Sequence, residues 1–175
     1  IDIAVHSLKD VPTVLPEGII QAAVLKRANY TDLLVLKDTE EFFGQPNGVI
    51  ATGSLRRKAQ WLHRYPTHKV EDIRGNVNTR LEKLADSEIW NGAIFAAAGL
   101  ERLGKRDKGA IPLTWMIPAP GQGAIMITAL EEDDFVIDAC EQLNHHETKV
   151  CVGIEREFLH LLEGGCTAPI GALAY

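Results

Sequence analysis

Residues 50–80 begin with Ile50-Ala51-Thr52-Gly53-Ser54-Leu55-Arg56-Arg57 and end with Ile73-Arg74-Gly75-Asn76-Val77-Asn78-Thr79-Arg80. Each half contains a short apolar segment, then a turn, and then apolar residues at helical spacing. Ser54 is placed to cap the first helix, and Asn76 is placed to cap the second. Strand–turn–helix units that repeat in this way predict an α/β fold whose sheets are mainly parallel.

The same segment carries much of the positive charge of an acidic chain. Residues 50–80 hold seven Lys or Arg and two Asp or Glu, a balance of +5, while the rest holds 11 basic and 22 acidic residues, a balance of −11. Because acidic surroundings repel a long polyanion, this distribution favours a small anion over nucleic acid.

Arginines at the two turns are the best candidates to bind that anion, since a guanidinium pairs bidentately with carboxylate or phosphate. The candidates are Arg56, Arg57, Arg74 and Arg80. The hydroxyls of Thr52 and Ser54, at a helix N-terminus, would add hydrogen bonds. In contrast, Lys58, Arg64 and Lys69 fit a solvated helix surface better.

The alternation of strands and helices is interrupted twice, near residues 26–30 and 118–123. These interruptions predict two lobes, and the cleft between two lobes is a common place for a ligand. The last helix, at about residues 147–162, has one apolar stripe that we expect to face the core. The stripe consists of Val150, Ile154, Phe158, Leu161 and Leu162.

The composition is that of a soluble globular protein, with 175 residues, 46% of them hydrophobic and 24% charged. No apolar run reaches the roughly 18 residues of a membrane span, and no secretory signal is visible. Three cysteines, Cys140, Cys151 and Cys166, are too few and too irregular for a disulfide framework, which predicts a cytoplasmic setting. Their spacing to His145 and His146 fits no tight metal site, so we expect no metal.

Two further places carry candidate chemistry. Lys9 and Asp10 follow the first strand, where α/β sheets bind ligands, although a surface ion pair would have the same sequence. Cys166 follows Gly164 and Gly165 on a loop, which makes it either a candidate nucleophile or an ordinary loop cysteine.

Taken together, these segments resemble the porphobilinogen deaminases, also called hydroxymethylbilane synthases. Six motifs occur in the order of that family and extend over nearly the whole chain. They are Val5-His6-Ser7-Leu8-Lys9-Asp10-Val11-Pro12-Thr13, Thr52-Gly53-Ser54-Leu55-Arg56-Arg57, Ile73-Arg74-Gly75-Asn76, Ala98-Gly99-Leu100-Glu101-Arg102-Leu103-Gly104, Gly121-Gln122-Gly123-Ala124 and Leu162-Glu163-Gly164-Gly165-Cys166.

The resemblance implies a transferase that condenses four porphobilinogen molecules head to tail and releases ammonia each time. It implies a dipyrromethane cofactor on a thioether to Cys166, with Asp10 as the catalytic carboxylate and Arg102 as a substrate contact. The remaining contacts to the cofactor carboxylates would be Ser7, Lys9, Thr52, Ser54, Arg56, Arg57, Arg74 and Arg80. It also implies a monomer that binds neither nucleic acid nor membrane.

For the architecture, the resemblance implies a two-lobed, periplasmic-binding-protein-like (type II) fold with the start of a small α+β third domain. Domain 1 would include residues 1–27 and 124–143, domain 2 residues 30–118, and the third domain would start within 147–175. We expect segments of the family to be missing at both ends, so these residues alone should be poorly stable and barely active.

The chain departs from the family pattern at Gly53, where a second serine is usual, and at Glu71, where many members have arginine. A two-lobed anion-binding module without catalysis is the main alternative function. A phosphate-binding regulator is a weaker one, because no DNA-binding helix pair is evident.

Overall fold

A computed structural model of the chain describes residues 1–37, 39–106, 109–162 and 168–175. These residues form two compact units, the first made of Ile1–Tyr30 and Ile117–Tyr175 and the second of Thr31–Met116. The finer division into three domains stays a prediction.

Strands and helices alternate only in part of the chain. In order, the elements are β1 (Ile3–Ser7), a 3₁₀ helix (Leu8–Asp10), β2 (Ile19–Val24), β3 (Asp32–Leu36), a second 3₁₀ helix (Glu40–Gly44), β4 (Val49–Ala51), α1 (Leu55–Arg64), β5 (Lys69–Glu71), α2 (Val77–Asp86), β6 (Gly92–Ala96), α3 (Ala97–Arg102), β7 (Ile111–Pro112), β8 (Ile125–Leu130), α4 (Asp134–Glu141) and α5 (His146–Leu161).

The first unit is built on a three-stranded sheet in the order β1-β8-β2, and both outer strands run antiparallel to β8. Because side chains alternate along a strand, β8 contributes to a core on each face of the sheet. Met126 packs with Val152 of α5 on one face, and Ile127 packs with Cys140 of α4 on the other.

The second unit is built on a five-stranded sheet in the order β5-β4-β6-β3-β7. Leu33 of β3 belongs to a core that also holds Leu84 of α2, while the next residue, Leu34, belongs to the core that holds Trp61 of α1. A sheet buried on both faces explains why these strands are continuously apolar in sequence.

The α/β class is confirmed, but the prediction of mainly parallel sheets is wrong for the described residues. Four of the six strand pairings described are antiparallel, and only β4 with β5 and β4 with β6 are parallel. Parallel neighbours require a crossover connection, usually a helix. Helices α1 and α2 supply it between β4, β5 and β6.

The expected orientation of α5 is also wrong. Its apolar stripe, Val150, Ile154, Phe158, Leu161 and Leu162, is between 46% and 71% exposed. The helix instead buries Thr148, Val152, Glu155 and Leu159. Two of these are polar, and they are buried because both bond to Arg27: its backbone N–H donates to Thr148 Oγ1, and its guanidinium pairs with Glu155.

Candidate functional site

The first candidate turn joins β4 to α1. Ser54 is the N-cap predicted from sequence, and its Oγ accepts a hydrogen bond from the backbone N–H of Arg57 at 3.4 Å. Thr52 is buried, and its Oγ1 accepts from the N–H of Ser54 at 3.3 Å. Both hydroxyls therefore shape the turn, and each keeps a hydrogen that it can donate to an anion.

The two arginines after this turn point into unit 2. Arg56 is 3% exposed and Arg57 is 5% exposed. Asp32, at the start of β3, lies between them: Oδ1 accepts from Arg57 Nε at 3.1 Å and Nη2 at 2.7 Å, and Oδ2 lies 2.8 Å from Arg56 Nη2. Arg57 Nη1 also donates to the carbonyl of Ile94 at 3.0 Å.

Arg56 and Arg57 share the buried carboxylate of Asp32. Burial lowers the pKa of Arg56, since a cation is disfavoured away from water, and the charge of Arg57 lowers it further. Asp32 opposes both effects and raises that pKa by its charge and its hydrogen bond.

Sequence reasoning missed Asp32. Its signal was a carboxylate directly before the apolar run Leu33–Leu36, at the start of a strand buried on both faces. A buried carboxylate needs a charged or hydrogen-bonding partner, so this position could have been paired with the arginines in advance.

The second candidate turn joins β5 to α2 and lies beside the first. Thr52 donates its N–H to the carbonyl of Glu71 at 2.9 Å, which joins the ends of the parallel strands β4 and β5. A Cβ on Gly53 would lie 2.8 Å from the carbonyl oxygen of Ile73 and 3.1 Å from Asp72 Oδ1. The absence of a side chain at Gly53 therefore lets the two turns approach each other.

Arginines of the second turn are held near its backbone. Arg74 Nε donates to Asp72 Oδ2 at 2.8 Å, and this hydrogen bond lowers the pKa of Asp72. Arg80 Nε donates to the carbonyl of Gly75 at 2.7 Å. Asn76 caps α2 as predicted, accepting from the N–H of Thr79 at 2.9 Å. The Arg74 side chain is 80% exposed and can leave Asp72 for another carboxylate.

Arg102 lies at the end of α3, which begins directly after β6. Its Nε donates to the carbonyl of Ala98 at 3.2 Å, one turn earlier in the same helix. Strand β4 is parallel to both β5 and β6, so the three strands end at the same edge of the sheet. The segments that follow them therefore start from that edge.

The candidate residues of unit 1 follow β1. Leu8 is fully buried and donates its N–H to the carbonyl of Ala124 at 3.0 Å, which fixes the short 3₁₀ helix. On this helix Lys9 is half-buried and Asp10 is exposed, and Ser7 immediately precedes them. The structure thus groups Ser7, Lys9 and Asp10 in unit 1.

Cys166 lies outside the described residues. Among those that are described, Cys140 is buried and Cys151 is half-buried. The described part of the chain holds no group of three or more His, Cys, Asp or Glu arranged for a metal ion. It also has no helix with both the length and the apolar character to cross a membrane.

Comparison with known proteins gives consistent matches. A family model described as "Porphobilinogen deaminase, dipyromethane cofactor binding domain" matches residues 1–138. A porphobilinogen deaminase of Desulforamulus reducens is 49% identical over 98% of this chain, and a chloroplastic one of Oryza sativa is 43% identical over 99%. The chain spans 56% and 49% of the lengths of these two relatives.

One solved structure illustrates the more distant matches. A probable amino-acid ABC transporter extracellular-binding protein from Bacillus subtilis is 13% identical, with a TM-score of 0.40. The match covers 82% of this chain and 62% of that one.

Proposed function

Because the chain belongs to the porphobilinogen deaminase family, we propose that the protein is a hydroxymethylbilane synthase. It would join four porphobilinogen molecules head to tail, with loss of one ammonia at each step, in tetrapyrrole biosynthesis. The observation that carries this proposal is the pair Arg56 and Arg57 directly after the β4–α1 turn, whose guanidinium groups both lie against the carboxylate of Asp32, at 2.8 and 2.7 Å.

The residues of unit 2 fit a ligand made of pyrroles with carboxylate side chains. Each such pyrrole carries one acetate and one propionate, so every added unit brings two negative charges. The guanidinium groups of Arg56, Arg57 and the exposed Arg74 are suited to carboxylates of that kind. The hydroxyls of Thr52 and Ser54 and the side chain of Arg80 would complete this set.

A dipyrromethane cofactor fits the same donor set, and we propose Cys166 as its attachment point through a thioether. When bound, the dipyrromethane supplies the free pyrrole carbon to which the first substrate unit is joined. Ser7 and Lys9 would hold carboxylates from unit 1, and Arg102 would contact the substrate. Each of these residues binds or orients a charged side group.

Asp10 is proposed as the catalytic residue. Loss of ammonia leaves positive charge on the substrate pyrrole, and a fixed carboxylate stabilises that charge. Asp10 is exposed on a 3₁₀ helix that the buried Leu8 anchors. Its carboxylate can therefore meet a substrate without a rearrangement of β1, and it can accept the proton released when the new bond forms.

We also propose the setting of the reaction: a cytoplasmic monomer that acts on a small molecule, not on nucleic acid or at a membrane. The balance of −11 outside residues 50–80 supports the exclusion of nucleic acid, because it repels polyanions. The domain assignment of residues 1–27 with 124–143, of 30–118 and of 147–175 belongs to the same proposal.

The decisive experiment is the intact mass of the purified chain beside that of Cys166→Ser, after incubation of both with porphobilinogen. We expect an added mass of two condensed pyrrole units on the native chain and none on the variant. Porphobilinogen consumption is followed in the same samples. The same comparison is made on a full-length protein that contains this chain. Binding of porphobilinogen by that protein without any adduct or consumption would favour the non-catalytic anion-binding module and would overturn the proposal.

A further inference from the structure

Arg156 of α5 binds the backbone just beyond Asp10. Its Nη1 donates to the carbonyl oxygen of Val11 at 3.0 Å, and its Nη2 donates to that of Pro12 at 2.5 Å. Val11 and Pro12 directly follow Asp10, whereas Arg156 lies 145 positions after Val11. One guanidinium group therefore joins a helix of unit 1 to the segment that carries the proposed catalytic carboxylate.

The same face of α5 also packs against this segment. Val152 lies one turn before Arg156, and residues four positions apart share a face of a helix. Val152 is 1% exposed and belongs to the core cluster that contains Leu8 and Val11. Apolar contacts and the hydrogen bonds of Arg156 thus act from one face of α5 on residues before and after Asp10.

The 3₁₀ helix that carries Asp10 is short, so its conformation depends on what holds its two ends. At its start, the N–H of Leu8 donates to the carbonyl of Ala124 at 3.0 Å. At its end, the N–H of Val11 donates to the carbonyl of Leu8 at 3.1 Å, which closes a single turn. The hydrogen bonds from Arg156 fix the backbone directly after this turn, and the exposed side chain of Asp10 lies between the two fixed ends.

The partners of Arg156 show that it acts by hydrogen bonding. In the described part of the chain it forms no ion pair, and both groups that accept from its guanidinium are neutral carbonyls. Burial lowers the pKa of Arg156, because a cation is disfavoured away from water. A planar guanidinium directs several N–H groups in a fixed geometry, which an ammonium group does not reproduce.

We infer that Arg156 is a positioning residue, which holds the backbone after Asp10 and thereby fixes where the carboxylate of Asp10 lies. The catalytic part of this inference rests on the proposed function, in which Asp10 stabilises positive charge on the substrate pyrrole. Arg156 acts through Asp10 and needs no contact with substrate or cofactor. A misplacement of about 1 Å can cost roughly a hundredfold in rate, so the backbone on which Asp10 sits has to be fixed.

Arg156→Lys tests the hydrogen bonds apart from the charge, because lysine keeps the cation but has no planar fork. Steady-state turnover of porphobilinogen is measured on the full-length protein that contains this chain. We expect kcat to fall about tenfold and KM to change by less than about twofold, since Asp10 acts on charge that develops only during the reaction. Arg64→Lys, at an exposed position on α1, is the matched control and should change neither constant.

A second variant shows whether Arg156 acts through Asp10. Asp10→Glu keeps the carboxylate but displaces it by one methylene group, so a fixed backbone no longer places it correctly. In that background we expect Arg156→Lys to lower kcat by less than about threefold, against about tenfold in the native protein. Equal losses in the two backgrounds would mean that Arg156 acts independently of Asp10 and would overturn the inference.

A measurement that needs no turnover separates this inference from the proposed function. Hydrogen–deuterium exchange of a peptide covering residues 7–13 reports the N–H of Val11, which closes the 3₁₀ helix. We expect this exchange to be about tenfold faster in Arg156→Lys and unchanged in Arg64→Lys. Far-UV circular dichroism verifies the fold of each variant.

The combined results distinguish the two proposals. If the native protein turns over porphobilinogen and folded Arg156→Lys has the same kcat, the inference is overturned and the proposed function stands. If the native protein consumes no porphobilinogen, the proposed function fails. Faster exchange in Arg156→Lys would then still support the hold of Arg156 on the Asp10 segment, and equal exchange would overturn that as well.

Discussion

Glu155 Oε1 lies 2.6 Å from Arg27 Nη1, inside unit 1, and the pair joins α5 to the segment that follows β2. Arg27 Nη2 also donates to Oε2 at 3.1 Å. Two backbone groups donate to the same carboxylate: the N–H of Gly121 to Oε2 at 2.7 Å, and that of Ala174 to Oε1 at 2.9 Å. Three segments distant in sequence are therefore held by one carboxylate that is 1% exposed.

Glu155→Gln should destabilise unit 1 strongly, because it leaves the Arg27 cation buried with no carboxylate. We expect the free energy of unfolding to fall by about 3 kcal/mol. Urea denaturation followed by circular dichroism measures it, and Glu157→Gln, at an exposed position on the same helix, should change it by less than about 0.5 kcal/mol. Equal losses of unfolding free energy for the two variants would contradict this role of Glu155.

Asp32→Asn should destabilise unit 2 by a comparable mechanism. Two buried guanidinium groups would lose their counter-ion, at a cost of about 3–5 kcal/mol. The same denaturation experiment applies, with the exposed Asp86→Asn as its control. A loss below about 1 kcal/mol would mean that solvent reaches the arginines and that they are not a buried pair.

His68 should make unit 2 sensitive to acid. The ring is 5% exposed and stacks on Tyr65 with centroids 5.0 Å apart, and burial lowers the pKa of His68 below its usual value near 6.5. The unfolded chain therefore takes up the proton first, so this stabilisation is complete above pH ~6.5 and is lost as the pH falls toward the lower folded pKa.

To measure this effect, unfolding free energies are compared at pH 7 and pH 5. We expect the native chain to lose more stability over that range than His68→Phe, which keeps an aromatic ring but has no proton to bind. The exposed His63→Phe should behave as the native chain does. A native pH dependence equal to that of His68→Phe would show that the imidazole is not held neutral.

Gly53→Ser should be unfavourable in this chain, although serine is usual there in the family pattern. The new Cβ would lie 2.8 Å from the carbonyl oxygen of Ile73, closer than real contacts allow, so the two turns must separate. We expect a loss of about 1–3 kcal/mol by thermal or urea denaturation. Gly44→Ser is the control, because no atom lies within 4 Å of its Cβ position.

The orientation of α5 gives a further test. Ile154 is 59% exposed and Val152 is 1% exposed, although the apolar stripe in the sequence favours the opposite assignment. Ile154→Ser should change the free energy of unfolding by less than about 0.5 kcal/mol, whereas Val152→Ala should cost about 2 kcal/mol. A larger loss for Ile154→Ser than for Val152→Ala would mean that α5 packs against the core through its apolar stripe.

Local signals in the sequence predicted the turns well. Ser54 and Asn76 both cap their helices through the hydrogen bonds that their side chains were expected to accept. These interactions span only three residues, so propensity and spacing are sufficient to find them.

Interactions between distant segments were harder to predict. Asp32 reaches Arg57 across 25 positions, and no local pattern joins them. The antiparallel pairing of β3 with β6 depends likewise on which strands meet in space. For α5, periodicity found an apolar stripe, but the buried face is the one that carries Val152, Leu159 and Glu155, whose partner Arg27 lies 128 positions away.

The place of Asp32 on β3 links the anion site to the correct alignment of the sheet. Asp32 lies opposite Ala96, and Leu33 lies opposite Phe95. A slip of β3 by one residue would turn every side chain of the strand to the other face, and Asp32 would then point away from both arginines. Only molecules whose strands have paired in register can therefore form the site, so a carboxylate ligand would select correctly folded chains from misaligned ones.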